Sequence, residues 1–172
     1  MYITKFATIL SLAAVALSLP TGEVQKRALT VRPYTDFQIS SGTAGNALAE
    51  AQAKFPIDTS DLASVSKGDL AIIKAARETA EAAETDAFNK EVKAASGTAA
   101  DALQNGKIKN KVLKLYLETA ALQIQQAQDG KDNQAKIDKE QKKLNTNVTA
   151  DKKAAGQASQ SVKFTGDVKP KN

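Results

Sequence analysis

A chain of 172 residues, 42% apolar and 25% charged, has room for one globular domain and is too apolar to be disordered throughout. Its formal net charge of +5 is mildly basic and gives no argument for a nucleic-acid partner. The sequence has no Cys and no His, which excludes disulfides, thiolate metal sites and cysteine nucleophiles and removes the commonest general base and metal ligand. Most hydrolytic mechanisms lose a member, so no enzymatic activity, catalytic residue, metal or cofactor is expected.

The N-terminus reads as a secretory leader. After Lys5 comes an apolar run, Phe6 to Leu17, shorter than the roughly 20 residues a membrane span needs. Ala16 and Ser18 supply small residues at positions −3 and −1 of a cleavage site. Residues 1–18 are therefore expected to be a signal peptide cut after Ser18. Residues 19–27 form a short polar stretch ending in the dibasic pair Lys26-Arg27, the substrate of kexin-type proteases, and read as a pro-segment. The mature chain is then expected to begin at Ala28 and to be extracellular or bound to a cell wall. Losing Lys5, Lys26, Arg27 and Glu23 lowers the net charge from +5 to +3. Removing 27 of 172 residues leaves 145, enough to bury a core without disulfides.

Residues 28–40 carry Pro33, β-branched residues and the aromatics Tyr34 and Phe37 without helical period, and are expected to be an extended arm. Residues 41–162 predict a helical bundle. Ser41-Gly42-Thr43 precedes a first helix over 44–55, stopped by Pro56. A second helix opens at Thr59 or Ser60 and runs to about Ala95, with Ser66-Lys67-Gly68 as a candidate break and Leu70, Ile73, Ala76, Ala80, Ala83 and Ala87 on its stripe. Gly97 interrupts, a short turn of helix reaches Leu103, and Asn105-Gly106 is expected to break it again. From Lys107 to Gln128 comes the most apolar helix, with a stripe wide enough for a bundle centre, stopped by Asp129-Gly130. The last helix, Asp132 to about Ser161, has one apolar stripe and reads as an outer member. Short links imply an all-α, antiparallel, alanine-rich bundle of about four long helices. Residues 163–172 are expected to be a polar tail.

Several motifs carry competing readings. Asn147-Val148-Thr149 is an N-glycosylation sequon, usable only if Asn147 faces solvent from its helix. Lys107, Lys111 and Lys114 share a helix face and could form a basic patch for an acidic polysaccharide or anionic lipid; a solvated face is the plainer reading. Glu78, Glu81, Glu84 and Asp86 read as a solvent face, since a di-metal bundle needs His. The octapeptides starting at Ser41 and Ser96 echo one another, which two similar helix starts explain.

The stretches Arg32 to Ala47 (RPYTDFQISSGTAGNA), Phe55-Pro-Ile-Asp58 and Gly106 to Lys114 (GKIKNKVLK) resemble cysteine-free small secreted proteins of filamentous ascomycete fungi. That resemblance implies a fungal source and an extracellular or cell-wall setting, with no catalytic residues to transfer. The leader followed by an alanine-rich bundle is, in architecture alone, similar to the fungal hydrophobic-surface-binding and cell-wall galactomannoprotein family. The reading that follows is a non-enzymatic protein acting by surface contact on cell-wall polysaccharide or a host protein, an effector-like role. The alternative is an extracellular carrier of a lipid or other apolar molecule, with Leu113, Tyr116 and Leu117 as its ligand or partner surface. No integral membrane segment is expected in the mature chain, and the oligomeric state stays open.

Overall fold

The computed structural model describes residues 28–166 and 169–170. The expected signal peptide and pro-segment, with Ser18, Lys26 and Arg27, lie outside them. The described chain is all-α: a helical turn α1 (Tyr34–Phe37), α2 (Ala47–Lys54), a 3-10 turn (Leu62–Ser64), α3 (Lys67–Ala83), a π turn (Glu84–Phe88), α4 (Asn89–Ala94), α5 (Gly97–Asp129) and α6 (Gln134–Lys153). Two short strands, β1 (Gly42–Thr43) and β2 (Ala158–Ser159), pair antiparallel with Gly42 opposite Ser159.

Local chemistry sets the helix ends. The Ser66 hydroxyl accepts the Asp69 N–H at 2.9 Å and caps α3. Gly130, at φ +65°, ends α5 in the left-handed conformation that glycine adopts freely. α2 has no side-chain cap of its own at Asn46. The buried carboxylate of Asp151, on α6, accepts the N–H groups of Gly45 and Ala47 at 2.9 Å each and caps α2 across the fold.

α5 is the central member, packed between α3 and α6. Ion pairs between Arg77 and Glu118 and between Glu84 and Lys114 join α3 and α5 in opposite sequence order, so the two run antiparallel. Alanines 75, 76, 80, 83, 120 and 121 are buried, which lets the backbones approach closely around Ile73, Val112, Leu113, Leu117 and Ile124. This is the antiparallel alanine-rich bundle the sequence predicts.

The structure differs from the sequence reading at four places. The second helix does not open at Thr59 or Ser60: residues 62–64 form a separate 3-10 turn and α3 starts at Lys67, behind the Ser66 cap. Asn105-Gly106 does not break the helix; α5 runs unbroken through both. A Cβ on Gly106 would lie 1.9 Å from the Gln160 carbonyl oxygen and 3.2 Å from that of Ser40, so this glycine is needed for close approach. The last helix ends at Lys153, short of Ser161, because the chain turns at Gly156 (φ +81°) and returns along α5. The arm and the start of the tail, as far as Gly166, pack onto the core. Tyr34 and Phe37 are fully buried, and Phe164 packs edge-on against Tyr34 with ring centroids 5.4 Å apart. The Tyr34 N–H donates to the Gly166 carbonyl at 3.1 Å, tying the two ends together.

Candidate functional site: a charge-balanced cleft

Helical spacing brings three charged faces to one groove. On α3 and the π turn, Arg77, Glu81 and Glu84 follow one another at steps of four and three; on α5, Lys111, Lys114, Leu115 and Glu118 share a face; on α6, Glu140, Lys143 and Asn147 do the same. Together they line a cleft of about 410 Å³. Four cations face four carboxylates, so the cleft carries strong local fields and no net charge.

The pairing inside it is dense. Arg77 bridges Glu81 through one terminal nitrogen and Glu118 through Nε at 2.7 Å. Lys114 Nζ meets Glu84 at 2.6 Å, the most enclosed pair of the cleft, and Lys143 meets Glu140 at 2.7 Å. Lys111 alone among the four cations makes no ion pair with the described residues. Glu84 opens the π turn, and such turns often mark functional positions in helices. Partly exposed pairs of this kind contribute up to about 1 kcal/mol each.

The structure redistributes the residues singled out in the sequence. Lys111 and Lys114 line the cleft, whereas Lys107 does not, and Lys114 is neutralised by Glu84. The three therefore do not form one positive patch. Asn147 is half-buried at the cleft wall, its amide donating to the Lys143 carbonyl at 2.9 Å. Leu113 and Leu117 have no exposed surface and belong to the core, so they cannot serve as a ligand or partner surface. Tyr116 does line a second, smaller groove of about 230 Å³ with Leu48, Ile57, Leu62, Ala120 and Leu144. Its hydroxyl donates to the Phe55 carbonyl at 2.9 Å, and burial raises its pKa.

Two polar residues of the GKIKNKVLK stretch have structural work instead. The Lys109 ammonium is buried and donates to the carbonyls of Ser41 (3.1 Å) and Thr43 (2.9 Å) and to the carboxylate of Glu50 (3.0 Å), satisfying its three donors. Asn110 accepts from the Tyr34 hydroxyl and donates to the Ala80 carbonyl, each at 2.8 Å. Both hold the arm on α5. Arg77, Glu140 and Lys143 read in the sequence as solvated helix faces and Glu118 was not singled out; the signal that could have found them is the recurrence of charge at helical spacing on three helices.

No helix of the described residues is long and apolar enough to cross a membrane. Val31 is the one large apolar residue left exposed among them. Residues 29–163 match a family model described as a domain of unknown function, DUF8454. Neither a curated protein nor a solved structure matches the chain.

Proposed function

We propose that this chain, which belongs to the DUF8454 family, acts without catalysis as a secreted protein that contacts a polar surface through the cleft between α3, α5 and α6. The observation that carries the reading is the cleft itself: eight charged side chains balanced in sign beside one amide, with no aromatic ring among them. Fixed carboxylates and ammonium or guanidinium groups at hydrogen-bond spacing suit a ligand rich in hydroxyls, which both accepts and donates. A polyanion would meet the four carboxylates. Cell-wall polysaccharide is the partner class that fits this chemistry, and the leader-like N-terminus and the resemblance to small secreted fungal proteins support the extracellular setting. The scarcity of exposed apolar residues argues against a membrane or a greasy protein face as the partner.

The alternative, a lipid carrier, draws on the groove beside Tyr116. At about 230 Å³ that groove falls below the roughly 300–1,000 Å³ of pockets that enclose small ligands, so the polar cleft has the stronger support.

The test is a titration of the mature protein with solubilised wall glucan, mannan and chitin oligomers. Binding to at least one of them is expected, with Lys111→Glu weakening it about tenfold, a loss of about 1.4 kcal/mol. Lys111 makes no ion pair with the described residues, so the folded state is expected to survive the change. Absence of binding to every fraction, or binding indifferent to Lys111, would refute the proposal.

A further inference from the structure

The residue that follows the dibasic pair by two is held by an acid. The Leu29 N–H donates to Asp69 Oδ1 at 2.7 Å, a contact spanning 40 residues, and the Leu29 side chain packs against the core. Asp69 lies in the first turn of α3, its own N–H bound to the Ser66 hydroxyl. Ala28, one residue earlier, is exposed, and its backbone nitrogen sits roughly 3 Å from that of Leu29 by chain geometry alone. In an uncut chain that nitrogen is a neutral amide.

We infer that cleavage after Arg27 turns it into a cation placed to pair with Asp69, so that processing locks the arm onto α3. The inference rests on the secreted reading. Water adds across the Arg27–Ala28 peptide bond under a dibasic-specific protease; the new carboxylate leaves with the pro-segment, and the released amine takes up a proton to become the α-ammonium of Ala28. Lys67, exposed on the same turn of α3, is the competing cation there. Arg32 is engaged elsewhere, donating to the Lys54 carbonyl at 2.8 Å. The same arm carries Tyr34 and Phe37 into the core, so the pair forms at the start of a segment that is packed there.

The experiment expresses the full chain in a secreting yeast with its dibasic-specific protease and in a strain lacking it, and reads N-termini by mass spectrometry and stability by thermal unfolding. The processed protein is expected to start at Ala28 and to melt about 3 °C above the uncut form, the shift of an ion pair worth about 1 kcal/mol. Asp69→Asn should remove most of that difference, and so should acetylation of the Ala28 amine in the wild-type protein. Amine-reactive labelling of Ala28 near neutral pH should run several-fold faster in Asp69→Asn than in wild type, a readout that a merely structural Asp69 would not move. Secretion with a terminus other than Ala28 overturns the latch and leaves the secreted reading standing. A correct terminus with no Asp69 dependence also overturns it. Retention inside the cell overturns the secreted reading and the latch with it.

Discussion

Replacing Lys109 by methionine keeps most of the length and volume of the side chain and removes its terminal ammonium, and with it the charge and the donors. The ammonium has no exposed surface, and it closes a cage of two backbone carbonyls and one carboxylate. Each bond from a charged donor contributes roughly 1.5–3 kcal/mol, so losing both carbonyl partners at the lower bound costs about 3 kcal/mol. The Glu50 side chain is 36% exposed and regains water, so its lost partner adds little. Methionine also avoids the desolvation that the ammonium suffers on folding, which offsets part of the loss. The net expectation is a destabilisation of about 2–3 kcal/mol, or roughly 6–9 °C in Tm for a chain of this size. Urea unfolding followed by far-ultraviolet circular dichroism measures it, with Lys111→Met as the control expected to stay within about 0.5 kcal/mol of wild type. A Lys109→Met protein as stable as that control would refute the keystone role of Lys109.

Three further expectations follow from neighbouring contacts. Gly106→Ala should destabilise, although alanine improves a helix interior by about 1 kcal/mol, because its Cβ would strike the Gln160 carbonyl; thermal unfolding gives the sign, and a stabilised protein would contradict the close approach. Asp151→Ala removes the cross-fold cap of α2 and should cost about 2–3 kcal/mol, with Asp151→Asn costing less because one amide oxygen still accepts; denaturant titration of both orders them. Burial pushes the Tyr34 hydroxyl up to about 12, above its unfolded value of 10.0, so its contribution is fully present below pH 10 and is lost as pH rises from there through 12. That contribution amounts to roughly 2–3 kcal/mol, and alkaline unfolding should lose this component in Tyr34→Phe; an unchanged alkaline profile would contradict it.

The bundle was legible because its signals are local. Pro56 stops α2, Gly130 ends α5, and the apolar stripe of α5 marks it as the centre. What stayed hidden depends on partners far away in sequence. Lys109 and Asn110 look like solvated helix residues until the arm at Tyr34–Thr43 is laid over them. Gly106 looks like a helix breaker until the returning strand at Gln160 is seen to need the space. The polar tail looked free because one aromatic, Phe164, is a weak signal by itself, yet its ring meets Tyr34 in the core. The cleft was half visible: Lys111 and Lys114 stood out as lysines, but the carboxylates beside them lie on α3, the π turn and α6, and only packing brings the three faces together.

Amide chemical-shift mapping of the 15N-labelled mature protein, as soluble wall polysaccharide is added, tests most directly whether the cleft is the binding site. The perturbed amides are expected to cluster at Arg77, Glu81, Lys111, Glu118, Lys143 and Asn147, the walls of the cleft. Perturbation centred on the groove beside Tyr116, or no perturbation at saturating polysaccharide, would contradict it.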